Sequence, residues 1–167
     1  MAELIFNQGP LSGEEYRYGL RPSSATGCGW VATYNALVLL GRDTDKQALI
    51  RYFAWQLPLI HGNLGTSFFG PALCFRQWGF PVKLVKNRRR YDAEAGAADV
   101  SILFYHWRRG ARLGAHFVAV EKTETGFVGY NTFSNSTGPD PYGPSLEGFL
   151  QSQGWFGTAL IAIRDKP

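Results

Sequence analysis

Apolar residues crowd together first between positions 28 and 40, in Cys-Gly-Trp-Val-Ala-Thr-Tyr-Asn-Ala-Leu-Val-Leu-Leu. A segment apolar almost all round predicts a central, buried helix, and Gly41 is a natural stop. Thr44-Asp45-Lys46-Gln47 has the spacing of a capping box. Behind it Leu49, Phe53 and Leu57 fall on one stripe, and Pro58 ends that second helix. Thr66 is placed to cap a third helix running through Trp78 and closed by Gly79. Ahead of all three, residues 1–24 read as an irregular lead-in with a short strand at Leu4-Ile5-Phe6.

The period then changes from helix to strand. Val82-Lys83-Leu84-Val85 alternates in twos, and Val100 to Tyr105 is nearly continuous in apolar residues, as expected of a strand covered on both faces. Ala115 to Val120 and Phe127 to Phe133 predict two strands joined as a hairpin through Lys122 to Gly126. Ser134 to Pro144 reads as a turn-rich loop, Ser145 as the cap of a short helix from Leu146 to Gln151, and Trp155 to Ile163 as a closing strand. Three helices followed by an antiparallel sheet is an α+β arrangement. It predicts a helical lobe at about residues 25–80 and a β lobe at about 81–165. The 167 residues suit one domain with a core of its own.

Composition narrows the function classes. Charged residues make up 18% and aromatic residues 15%, which excludes a disordered chain. The net charge of +4 is concentrated in Lys83, Lys86, Arg88, Arg89, Arg90 and in Arg108, Arg109, Arg112. These clusters read as solvated faces, with no nucleic-acid partner expected. Two cysteines are too few for a secreted disulfide scaffold. The start lacks a signal-peptide pattern and the longest apolar run is too short to span a bilayer, so the expectation is a soluble cytoplasmic protein with no membrane partner. Zinc-type spacing is absent, with no paired cysteines and no two histidines close together, and no phosphate loop occurs. Neither a metal nor a cofactor is expected. Oligomeric state is left open.

Candidate chemistry centres on Cys28, in Ala25-Thr26-Gly27-Cys28-Gly29-Trp30 at the start of the buried helix. Helix N-terminal N–H groups stabilise negative charge and lower a thiol pKa. The flanking glycines leave room for a substrate backbone. A thiol nucleophile needs an imidazole within reach and a group that fixes the imidazole's tautomer. His116 opens a predicted strand in Gly114-Ala115-His116-Phe117-Val118-Ala119-Val120, and Asn131 lies near the end of the next one. A hairpin puts the start of one strand beside the end of the next, so the two residues are expected to be neighbours. His61, in a Gly-rich turn, and His106, at a strand end, are weaker rivals. Cys74 between Leu73 and Phe75 reads as an inert small hydrophobe. Trp30, Trp107 and Trp155 either line a cleft or fill the core.

Gly27-Cys28-Gly29-Trp30 with Ala32 and Asn35-Ala36-Leu37, followed by His116-Phe117-Val118-Ala119-Val120 and Asn131, resembles a papain-like cysteine peptidase. More narrowly it is similar to the C39-like group related to bacteriocin-processing peptidases, over roughly residues 21–133. The resemblance implies a helical lobe facing a β lobe with the site in the groove between them. It implies Cys28 as nucleophile, His116 as base and Asn131 as its orienting group. The substrate it implies is a peptide or isopeptide bond, cleaved through a thioester acyl-enzyme. Two features depart from the family pattern. Where the family has a Gln donating to the oxyanion, six residues before the nucleophile, this chain has Pro22. The Cys28 N–H remains as one donor, and Ser23, Ser24, Asn7 and Gln8 are open candidates for a second. His116 follows Cys28 by only 88 residues, against about 130–150 in papain itself. Three readings stay open at this level: a hydrolase, an acyltransferase with the same three residues, and a non-catalytic papain-like binding module.

Overall fold

The computed structural model describes residues 2–55 and 66–165. The expected helix end at Leu57 and Pro58 and the turn containing His61 lie outside the described residues. In chain order the helical part comprises a short hairpin, β1 (Arg17–Tyr18) and β2 (Arg21–Pro22), then α1 (Ser23–Thr26), α2 (Cys28–Leu39), α3 (Lys46–Trp55) and α4 (Gly70–Gln77). The rest comprises β3 (Val82–Val85), α5 (Tyr91–Gly96), β4 (Val100–Arg109), β5 (Arg112–Thr123), β6 (Gly126–Tyr130), β7 (Asp140–Gly143), α6 (Leu146–Ser152) and β8 (Phe156–Ile163).

Helix α2 is the central one, buried from Gly29 through Leu37. It ends as its sequence requires. Gly41 turns left-handed (φ 68°), its N–H reaches Val38 C=O at 2.9 Å, and Arg42 N–H reaches Leu37 C=O at 2.9 Å. This is a Schellman closure, available at little cost to a glycine. Helix α3 starts one residue later than the capping-box spacing suggests. Asp45, not Thr44, accepts from the N–H groups of Gln47 (2.9 Å) and Ala48 (3.3 Å). The Gln47 side chain leaves the box to donate to Glu15 C=O. Helix α4 is shorter than expected. It opens at Gly70-Pro71, since proline at the first turn sacrifices no helical N–H. Thr66 is not its cap; its hydroxyl pairs with Tyr18 Oη at 3.1 Å. No strand forms at Leu4-Ile5-Phe6. The buried Asn35 carboxamide takes both main-chain groups of Ile5 instead, each at 2.8 Å. Each such bond stabilises by about 1 kcal/mol, and together they lay the N-terminal segment along α2.

All pairings in the sheet are antiparallel, in the order β3-β8-β4-β5-β6-β7. Alternation along the central strands creates two buried faces. Ile102, Phe117, Ala119 and Ile161 meet Trp30, Val31 and Phe75 of α2 and α4. Leu103, Val118, Val120 and Leu160 meet Tyr91, Leu146 and Leu150 of α5 and α6. Strands β4 and β5 outrun the core: their pairing continues to Arg109↔Arg112, so His116 is the fifth residue of β5 and not its start. Strand β6 stops at Tyr130, which leaves Asn131 just beyond it. Ser145 caps α6 as expected, accepting from Gly148 N–H at 3.1 Å. The first basic cluster is largely paired within the chain, Lys83 and Arg90 with Glu94 (2.7 and 2.5 Å) and Arg88 with Glu147 (3.5 Å).

Candidate active site

Cys28 is the first residue of α2 and is half-buried. The first intrahelical bond runs from Val31 N–H to Gly27 C=O (3.0 Å), so the N–H groups of Cys28, Gly29 and Trp30 have no helical acceptor. That is the donor-rich setting expected for a thiolate. Burial nevertheless wins. It pushes the Cys28 thiol above its ordinary pKa, against the opposing pull of the N–H groups of Phe117, Gly29 and Cys28 itself. The expectation of a thiol pKa lowered by the helix start is therefore corrected: the resting sulfur is a protonated thiol. The role expected for the flanking glycines changes too. Gly27 and Gly29 are buried packing positions. A Cβ on Gly27 would come within 2.7 Å of Ser23 and Trp30, and one on Gly29 would collide with Thr66.

The Phe117 N–H that faces the sulfur belongs to the residue after His116, so the thiol abuts β5 beside the imidazole. The imidazole leaves the strand on the side of Val118 and Val120, opposite Phe117. It packs edge-on to Tyr105, ring centroids 5.8 Å apart. No hydrogen bond joins it to the sulfur. His116 Nε2 lies 2.6 Å from the main-chain oxygen of Asn131. A carbonyl only accepts, so Nε2 carries the proton and Nδ1 keeps a lone pair. Burial holds the His116 pKa below its ordinary value, with the Asn131 bond opposing, so the ring is neutral near pH 7.

Hairpin geometry thus brings Asn131 to His116, but through the main chain. The carboxamide of Asn131 faces Gln8, accepting from Gln8 N–H and donating to Gln8 Oε1, each at 2.8 Å. Asn131 is buried and has φ 71°, the one positive value at a non-glycine among the described residues.

A cleft of about 410 Å³ opens here, lined by Gln8, Ser24, Tyr105, Trp107, His116 and Trp155 among others. Arg109 sits at its rim over the Trp107 ring at 5.7 Å. Cys28 is not among its lining residues. Trp107 and Trp155 are cleft residues, whereas Trp30 is core. His106 is bonded through Nδ1 to Thr158 Oγ1 (2.6 Å), packs against Phe104 and Phe156, and does not line the cleft. Cys74 is fully buried, its thiol pushed up to about 12 by burial. Of the four candidate second donors, Ser23 is buried and bonded to Tyr16 C=O and Trp30 Nε1. Asn7 donates to Ser134 C=O (2.5 Å), and Gln8 donates to the carbonyls of Ser23 and Ser24 (3.1 Å each). Ser24 alone of the four has a side chain with no such bond, and it faces the cleft. Gln8 reads in the sequence only as a candidate oxyanion donor, since its contact with Asn131 spans 123 positions, and Tyr105 reads there only as a core strand residue.

Among the described residues no group of three His, Cys, Asp or Glu side chains is placed to hold a metal ion, and no helix is long and apolar enough to cross a membrane. No family model matches the sequence, and no curated protein matches it significantly. A solved structure does match. The peptidase domain of Streptococcus ComA, a bi-functional ABC transporter involved in a quorum-sensing pathway, superposes with a TM-score of 0.54 at 20% identity. The match covers 87% of this chain and 98% of that domain. The chain has the α+β, papain-like fold of that peptidase domain.

Proposed function

We propose that the protein is a thiol hydrolase of peptide-type bonds, with Cys28 as nucleophile, His116 as general base and acid, and Asn131 as the residue that holds His116. The observation that carries this reading is the Cys28 sulfur set at the start of α2 against the main chain of β5, one residue from a neutral imidazole whose Nε2–H is tied down. Sharing a fold with a peptidase domain supports the class of reaction. In the proposed cycle Nδ1 takes the thiol proton as the sulfur attacks the substrate carbonyl. The oxyanion is met by Cys28 N–H and by the Ser24 hydroxyl. His116 returns the proton to the leaving amine, which leaves a thioester. Water then attacks with His116 as base, releasing the acid and restoring the thiol. Burial raises the thiol pKa and lowers the imidazole pKa, so both groups favour the neutral form before substrate binds. Catalytic hydrogen bonds of this kind are often long without substrate and tighten on binding, which is compatible with the unbonded resting pair.

A raised thiol pKa, a Cys28 that is not among the cleft-lining residues and Pro22 in place of the family's Gln favour a second reading, a papain-like binding module. Turnover of a quenched-fluorescence peptide library separates the two. Hydrolysis lost in both Cys28→Ala and His116→Ala is the expected result. Binding of library peptides without turnover, unchanged in Cys28→Ala, supports the module instead.

A further inference from the structure

Gln8 commits every polar atom of its side chain, and its main-chain N–H, to two pieces of the site. Its N–H and Oε1 hold both ends of the Asn131 carboxamide at 2.8 Å, and its Nε2 donates to the carbonyls of Ser23 and Ser24 at 3.1 Å. Ser23 and Ser24 open α1, immediately ahead of Cys28. On the other side, Asn131 is held in a left-handed backbone conformation that a residue with a Cβ seldom adopts. That conformation presents its carbonyl to His116 Nε2. The segment carrying Gln8 has its own anchor, the pair of bonds between Ile5 and Asn35. The Gln8 bonds are therefore additional to what fixes the N-terminal segment.

We infer that Gln8 is a positioning residue: it clamps the Asn131 turn and ties that clamp to the peptides preceding Cys28, so that the carbonyl holding His116 is fixed relative to the helix that carries the thiol. Strained backbone at a functional site persists only when its surroundings over-determine it, and Gln8 supplies two of the constraints. The clamp selects the Nε2–H tautomer and leaves the Nδ1 lone pair as the base. Gln8 is not the missing oxyanion donor, because its amide hydrogens already serve Ser23 and Ser24. The catalytic consequence rests on the hydrolase reading above; the clamp itself does not.

The test uses the full chain with ¹⁵N-labelled histidine, His116 signals being assigned from a His116→Gln variant. Ring-nitrogen shifts report the tautomer, and inactivation by a peptidyl epoxide from about pH 5 to 9 reports the base. In the wild type His116 is expected as one Nε2–H tautomer. Gln8→Ala should mix in the Nδ1–H form and slow inactivation about 10- to 100-fold, as small misplacements of reacting groups do. Gln8→Glu keeps the acceptor for Asn131 Nδ2 and should keep the tautomer, while losing the tie to Ser23 and Ser24 and therefore part of the rate. A folded Gln8→Ala with wild-type tautomer and rate overturns the inference. Should Gln8→Ala fail to fold, Gln8→Glu decides: a wild-type rate overturns the inference, and a reduced rate with the Nε2–H tautomer retained upholds it. A wild-type chain that the epoxide never labels would sink the hydrolase reading alone, since the tautomer comparison still judges the clamp.

Discussion

His116 donates its Nε2–H to the main-chain oxygen of Asn131 at 2.6 Å, while the Asn131 carboxamide turns away to Gln8. Replacing the side chain therefore leaves the acceptor in place. What it changes is the ease of holding φ at 71°. Asn131→Ala meets the left-handed penalty of about 1–2 kcal/mol and loses the Gln8 bonds; Asn131→Gly loses the bonds but not the conformation. Asn131→Gly should retain about tenfold more peptidase activity than Asn131→Ala, the ratio expected for about 1.4 kcal/mol. Equal loss in both variants would contradict a role for the left-handed conformation.

Gly29 is a packing position against Thr66. Gly29→Ala forces a methyl into a filled space and should lower unfolding free energy by about 1–3 kcal/mol. Thr66→Gly in the same chain removes the colliding atoms and should recover part of that loss, at the expense of the Tyr18 hydrogen bond. Urea unfolding of the single and double variants gives the coupling directly. Additive effects would contradict the contact.

Burial sets the two thiols apart from ordinary cysteines in different ways. Cys74 is fully enclosed and should be alkylated by iodoacetamide only on unfolding. Cys28 is half-buried with a raised pKa, so its alkylation by this small reagent should climb through and past the ordinary thiol range near pH 8.5. A rate plateau extending below about pH 6 would reveal a preformed thiolate–imidazolium pair and contradict the neutral resting state.

Both described histidines are depressed by burial. An unfolded histidine takes up a proton near pH 6.5, and the folded one only at lower pH. The unfolded state thus binds more protons as pH falls below about 6.5, so stability is complete above that value and declines toward the folded pKa. Urea midpoints between about pH 7 and 5 should fall with pH in the wild type, and His116→Gln should flatten the slope. Under the hydrolase reading, the same depressed pKa places the acid limb of activity below about pH 6.5.

Where periodicity was strong, structure followed it. Helix α2, strands β3 and β8 and the Ser145 cap all lie within a residue or two of the pattern. Edge features were harder to read. Strand β7 looks like a loop because Pro141 and Gly143 dominate it; at a sheet edge, with only β6 as partner, proline is tolerated. Helix α5 has six residues and follows an arginine run, too short for a period to register. The ends of β4 and β5 pass beyond the core, so Arg108, Arg109 and Arg112 give no apolar signal for pairing. In the site, proximity of His116 and Asn131 followed from the hairpin. That a carbonyl makes the contact depends on one backbone dihedral, and the Gln8 clamp on contacts 123 residues apart. The Cys28 pKa turned on how deeply the helix start is buried, which no local motif encodes.

Intact-mass and peptide mapping after treatment with a peptidyl epoxide at pH 7 tests the thiol-nucleophile account most directly. One adduct on Cys28, formed about 100-fold faster than on glutathione, is the predicted result, with that excess lost in His116→Ala as expected for removal of a general base. Labelling no faster than the free thiol, or labelling that His116→Ala leaves unchanged, would contradict it.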